Sequence, residues 1–97
     1  VLDATVTELS AALAARAISS VELTRALLAR IDLLNPALNA FITVDQERSL
    51  AEARAADERR SRGETGALTG VPIAHKDIFC SRGLRTTCGS RMLANFV

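Results

Sequence analysis

An α/β chain is predicted, helical over residues 1–62, looped over 63–70, entering a strand over 71–80 and turning toward a new helix over 81–97. Three observations predict it. Two capping boxes each open a run of apolar residues at helical spacing, and an Ala-rich charged stretch follows them. A glycine-bearing segment then changes the texture of the chain. Beyond it comes an apolar run of the kind a buried strand uses, with Pro72 near its start, where a missing N–H is tolerated.

The first box is "TVTE" (Thr5 to Glu8), followed by Val6, Leu9, Ala12 and Leu13 on one helical face. A break near Ala17–Ser19 leads into the second box, "SSVE", with Ser19 as the cap and Glu22 reaching back. Leu23, Leu27, Ile31 and Leu34 then repeat at i, i+4, i+8 and i+11 as one apolar stripe. Asn35-Pro36 is expected to stop this helix, because a residue before proline is pushed out of the α region. "LNAFITV" (38–44) reads as a short connection, with Phe41 and Ile42 docking on the helices. Residues 45–62 form the third helix, capped by Asp45 or Thr43. Its acids (Asp45, Glu47, Glu52, Asp57, Glu58) nearly balance Arg48, Arg54, Arg59, Arg60 and Arg62, the pattern of a solvated face.

"RGETGALTG" (62–70) reads as an exposed loop. It is not a phosphate-cradling loop, because those end in Gly-Lys-Ser/Thr at a helix start, and here Gly70 leads into Val-Pro-Ile. "CSRGLRTTCGS" is polar and turn-rich, and residues 90–96 resemble the start of a helix.

Composition narrows the function classes. With no Trp, no Tyr and three Phe, the core must be mostly Leu, Ile, Val and Ala. A net charge of +1 gives no general attraction to nucleic acid or to a membrane surface. Arg82, Arg85 and Arg91, unaccompanied by acids after Asp77, read as a solvated face. No apolar stretch approaches the roughly 18 residues of a membrane span and no signal-peptide pattern opens the chain, so a cytoplasmic location is expected. Cys80 and Cys88 stand in neither a CxxC nor a zinc spacing and are expected to be free thiols. With a single histidine, no metal site is expected.

The chemistry concentrates in "GVPIAHKDIF" (70–79), which holds the only histidine and the only lysine; the other eleven basic residues are arginine. On a regular strand His75 points with Ile73 and Asp77, and Lys76 points oppositely with Ala74 and Ile78. The two cannot then serve one site. Lys76 either packs its stem on the sheet with its ammonium in solvent, or is desolvated so that a neutral amine acts as a base. Arginine cannot take the second role, because its guanidinium stays protonated. His75 is expected to be a structural, hydrogen-bonded histidine. Asp77 is either an acid that orients a neighbour or a strand-end cap.

"LTGVPIAHKDIF" followed by "LRTTCGSRMLANF", after "SSVELT" and "RIDLLNPALNAFITV", resembles the amidase signature family over essentially all 97 residues. The resemblance implies a mixed-sheet domain whose first strand or strands begin here and which is incomplete in this chain. It further implies a Ser–cis-Ser–Lys triad, with Lys76 as general base taking a proton through a bridging serine while a second serine attacks an amide carbon. Both serines belong to a downstream Gly/Ser-rich stretch that is absent here, and Ser19-Ser20 and Ser90 sit in other motifs. The chain therefore reads as the opening segment of a larger amidase, inactive alone.

The Thr-Thr-Cys-Gly-Ser, Leu-Ala-Asn-Phe and Leu-Asn-Ala-Phe motifs tilt toward the tRNA-dependent branch of the family. That branch implies glutamine as substrate and B and C subunits in a heterotrimer. It further implies that ATP and Mg are used by the partner subunit and that Glu-tRNA(Gln) is met through the complex. Two other readings stand beside it: a stand-alone hydrolase of other amides, and a non-catalytic helical fragment whose Lys76 is an ordinary charge.

Overall fold

In the computed structural model, which describes residues 3–97, the helices begin where side chains relieve the unpaired amides of their first turns. Thr5 caps α1 (Val6–Ala14), its hydroxyl accepting from the Glu8 N–H. Past Ala14 the chain reverses with Arg16 left-handed (φ 58°). Arg16 N–H donates to Leu13 O (3.1 Å) and Ala17 N–H to Ala12 O (2.9 Å), the paired closure of a Schellman turn. The expected break falls there.

Ser19 then opens α2 (Ser20–Leu38) with both arms of the predicted capping box: Glu22 N–H donates to Ser19 Oγ at 3.1 Å, and Ser19 N–H to Glu22 Oε1 at 3.4 Å. Asn35-Pro36 does not stop this helix. Pro36 lies inside its last turn, and the chain leaves only at Asn39, left-handed at φ 49°, whose N–H donates to Asn35 O at 2.7 Å. So near the helix end a proline forfeits a single hydrogen bond. The Asn35 side chain also pins the exit, accepting from Phe41 N–H (2.9 Å) and donating to Phe41 O (3.0 Å). Phe41 is half-buried, whereas Ile42 is exposed and does not dock.

Asp45 is the cap of α3 (Gln46–Ser61), its Oδ1 accepting from Arg48 N–H at 2.9 Å. α2 and α3 pack antiparallel. Gln46, at the start of α3, bonds the Asp32 carboxylate (3.0 and 3.1 Å). Asp57, near the end of α3, receives the N–H groups of Ser20 and Val21 (2.8 and 3.1 Å) at the start of α2. Asp57 is thus no member of a uniformly solvated face: it is half-buried and closes the helix pair.

Between the helices the buried apolar residues are Leu13, Leu23, Leu28, Ala53 and Ala56. The predicted stripe fades along α2: Leu27 and Ile31 are half-buried, and Leu34 is exposed with Leu33 and Leu38. The radius of gyration, 14.6 Å, exceeds the roughly 12.5 Å of a compact domain of this length. The apolar core is small for the chain.

Residues 63–70 form the expected loop, bound to the helices by backbone acceptors. Ser10 Oγ donates to Ala67 O, Arg60 Nη2 to Thr69 O (2.9 Å), and Ser20 Oγ to Gly70 O (2.7 Å). The strand predicted over 71–80 is absent: among the described residues there are three α-helices, a 3-10 turn at Arg91–Leu93 and no strand. The α/β expectation is corrected accordingly. A strand is defined by the ladder it shares with a neighbour, and no second strand stands within residues 3–97 to supply one. The one bridge, Ser81 with Leu84, closes a tight turn. The helix expected to start near Ser90 is only that 3-10 turn, with Ser90 Oγ accepting from Met92 N–H at 3.2 Å.

Gly70 adopts φ +85°, and a Cβ there would meet Ser20 Cβ at 3.1 Å and Ser20 Oγ at 3.2 Å. Left-handed backbone costs a non-glycine residue about 1–2 kcal/mol before any contact is counted. Gly70→Ala is therefore expected to lower stability by at least about 1 kcal/mol in urea denaturation. Gly66→Ala, whose new Cβ would meet only Thr69 Oγ1 at 3.9 Å, is expected to change it by less than about 0.5 kcal/mol. Equal effects would contradict this account of the Gly70 junction.

Candidate functional site

Lys76 opens a four-residue turn, its carbonyl accepting the Phe79 N–H at 3.1 Å. Its side chain is exposed and has no hydrogen-bond or ionic partner among the described residues. Since no strand forms, the alternation that would separate His75 from Lys76 does not operate, and Ile73, Ala74, His75 and Lys76 are all exposed. His75 stacks on Phe79, with centroids 5.6 Å apart and planes at 25°. It makes no hydrogen bond among the described residues, so the expected hydrogen-bonded histidine is instead a ring contact.

The ordered part of this segment is polar and centres on Asp77. One carboxylate oxygen accepts from the Thr87 N–H at 2.8 Å, and the other accepts from the Thr87 hydroxyl. The Asp77 carbonyl accepts from the Cys88 N–H at 2.8 Å. Thr87 Oγ1 in turn accepts from Gly89 N–H (3.1 Å), and its carbonyl accepts from Ser90 N–H (2.8 Å). Beside it, Thr86 N–H donates to Phe96 O at 2.9 Å and its hydroxyl to Phe79 O at 3.3 Å. Thr86 and Thr87 are 5% and 4% exposed, while Ile78, Phe79, Met92 and Phe96 around them are exposed. Hydrogen bonds, not apolar burial, organise this half of the chain.

Those donors hold the Asp77 carboxyl below its ordinary value of 3.8, the Thr87 hydroxyl first, then the Thr87 and Gly89 amides and the Arg85 charge; partial burial opposes them. Arg85, read from sequence as solvated, is half-buried and donates through Nε to Thr43 Oγ1 at 3.2 Å. Arg48 reaches the Arg82 carbonyl. Together they tie the lysine-bearing segment to the start of α3.

The structure thus brings Asp77 to Thr87 and leaves Lys76 beside them in solvent. Cys80 and Cys88 are free and exposed. Ser19 and Ser90 are occupied as caps. An open groove between α2, α3 and the 72–75 segment is lined by Leu28, Ile31, Ile73, His75 and Leu84, among others, and Lys76 is not part of its wall. Among the described residues no His, Cys, Asp and Glu side chains gather as metal ligands, and no helix is long and apolar enough to cross a membrane. Sequence reading passed over Thr87. Its one local signal was a threonine two residues before a glycine in a turn-rich stretch, the setting in which a hydroxyl bonds nearby backbone.

The family model described as Amidase matches residues 22–97. The chain is 64% identical over 93 residues to the A subunit of glutamyl-tRNA(Gln) amidotransferase from Methylococcus capsulatus, covering 96% of this chain and 19% of that protein. It is 60% identical over 96 residues to the protein of the same name from Aromatoleum aromaticum, covering 99% and 20% of the two chains. With the Chromobacterium violaceum protein of that name the identity is 61% over 95 residues, covering 98% and 20%. The chain therefore spans only 19–20% of the length of these relatives.

The clasp that Thr87 forms on the Asp77 carboxylate has a pH signature with a definite sign. Asp77 releases its proton more readily when folded, so the unfolded chain binds more protons just below pH 3.8. The clasp's contribution is complete above that value and is lost as pH falls through the lower, folded value. In heteronuclear NMR the Thr87 amide resonance is expected to titrate with a midpoint below 3.8, and Asp77→Asn to abolish the titration. A midpoint at or above 3.8 would mean that the Thr87 donors do not hold the carboxylate.

Proposed function

This chain belongs to the amidase family, and from that premise we propose that it is the N-terminal part of the A subunit of a glutamyl-tRNA(Gln) amidotransferase. The observation that carries the reading is the identity of 60–64% over nearly the whole chain to proteins of that name, spanning the segment that bears Lys76. In this reading the complete subunit hydrolyses the side-chain amide of glutamine. Lys76 is the general base, and the two serines of the triad come from sequence beyond these residues.

The chemistry fits the residue. Proton uptake at neutral pH needs an amine that can be neutral, which lysine allows and arginine does not. A serine hydroxyl, relieved of its proton through the bridging serine toward Lys76, forms a C–O bond to the amide carbon. The C–N bond breaks, and ammonia leaves with a returned proton. Water then cleaves the ester, releasing glutamate. The surroundings of Lys76 support such a role in a longer protein. Ile73, Ile78 and Phe79, in the same segment, expose apolar surface (81%, 54% and 55%), and a longer protein that covered this segment together with Lys76 would take the amine out of water.

The ammonia would pass to a B subunit that uses ATP and Mg to activate and amidate Glu-tRNA(Gln), and the small C subunit would sit beside them. None of those functions is assigned to residues 1–97, and a cytoplasmic location belongs to the same proposal. The 97-residue chain, holding the base without its serines, is expected to be inactive by itself.

In the complete subunit, Lys76→Ala and Lys76→Arg are each expected to reduce glutaminase turnover by at least about a thousandfold, measured as ammonia released from glutamine. Substantial turnover by the arginine variant would overturn the base assignment. The isolated chain is expected to release no ammonia from glutamine or from simple amides above the buffer rate. Turnover there would show that the missing serines are dispensable.

A further inference from the structure

We propose that Thr87 is a positioning residue for the Lys76 amine, acting through the Asp77 carboxylate; the proposal rests on the reading of Lys76 as the base. Lysine carries its amine on a flexible four-carbon stem, so its placement depends first on where the backbone launches the side chain. Two connections fix that launch point. The Lys76 carbonyl is held by the Phe79 N–H, and the next residue is held at three places by the 87–88 segment. Both carboxylate oxygens of Asp77 face Thr87, and its carbonyl faces Cys88. The peptide that follows Lys76 is therefore tethered to a point ten residues further along.

The clasp is built unlike the rest of its segment. Thr87 is 4% exposed where the neighbouring apolar side chains are exposed, so it is not buried as part of an apolar core. Its hydroxyl both donates to Asp77 and accepts from Gly89 N–H, and no buried side-chain polar atom lacks a partner among the described residues. A closed network of this kind resists displacement, because each lost bond leaves a buried group unsatisfied. Thr86 continues the tether to Phe79 and Phe96, on the far side of the Lys76 turn. Positioning a base matters at the ångström scale: a misplacement of about 1 Å costs on the order of a hundredfold in rate.

The test uses the complete amidotransferase. Thr87→Val keeps the shape and removes the hydroxyl; it is expected to lower kcat for glutamine hydrolysis about 10- to 100-fold, with KM for glutamine within about threefold. Thr87→Ser keeps the donor and acceptor and is expected to retain kcat within about threefold. A wild-type kcat in Thr87→Val would overturn the proposal, as would a loss confined to KM or an equal loss in Thr87→Ser. Should Thr87→Val fail to fold, Asp77→Asn carries the test: lowered kcat at unchanged KM supports the proposal, and wild-type kcat overturns it. Lys76→Ala measured alongside separates the two claims. Turnover in that variant removes the base and with it the positioning role, whereas an inactive Lys76→Ala beside a fully active Thr87→Val removes the positioning role alone.

Discussion

The fold depends on how the N-terminus of α2 is satisfied. The first three amides of that helix have no partner within it, and three side-chain oxygens take them: Asp57 receives Ser20 and Val21, and Ser19 receives Glu22. The Asp57 carboxylate also meets the positive end of the helix dipole. Since Asp57 belongs to α3, capping one helix fixes the direction and register of the other. Ser20, 2% exposed, turns its hydroxyl to Gly70 and brings the end of the loop onto the same point. Two helices and the start of the lysine-bearing segment thus share one junction, which explains why only glycine fits at position 70.

What the sequence made legible follows the range of each interaction. Capping boxes are spelled within four residues, and Thr5 and Ser19 both cap where their boxes stand, Ser19 with both arms closed. Asp57 acts 36 and 37 residues away from its donors, and nothing near it distinguishes it from the other acids of α3. The stop expected at Asn35-Pro36 rested on a local bias, but this near the helix end the proline forfeits only a single hydrogen bond, and the Asn35 side chain pins the exit at Phe41 instead. The strand failed for a different reason. Residues 71–80 have strand composition, but composition states a preference, and only a neighbouring edge realises it. Lys76 stood out by composition alone, as the one lysine beside eleven arginines. Thr87 did not, because its partner Asp77 lies ten residues back and a hydroxyl has no signature until the chain folds on it.

The two halves of the chain are held by different forces. Residues 3–62 bury Leu13, Leu23, Leu28, Ala53 and Ala56 between helices, with polar caps at the ends. Residues 71–97 bury two threonines and turn most of their apolar side chains outward. A hydrogen-bonded turn can hold its backbone without an apolar core, provided its donors and acceptors close on one another. That condition is met around Asp77, and Arg48 and Arg85 then fasten the turn to α3 and the residues just before it.

This division bears on how a lysine becomes a base. Two properties are needed: the amine must sit at a fixed place, and it must be able to shed its proton. Within these residues the polar clasp is already closed around the backbone beside Lys76, independent of any apolar cover. Nothing here takes the amine itself out of water, because Ile73, Ile78 and Phe79 lie open. In the proposed complete subunit the two properties therefore have separate sources: residues 77–89 supply position, and whatever covers the apolar surface supplies desolvation.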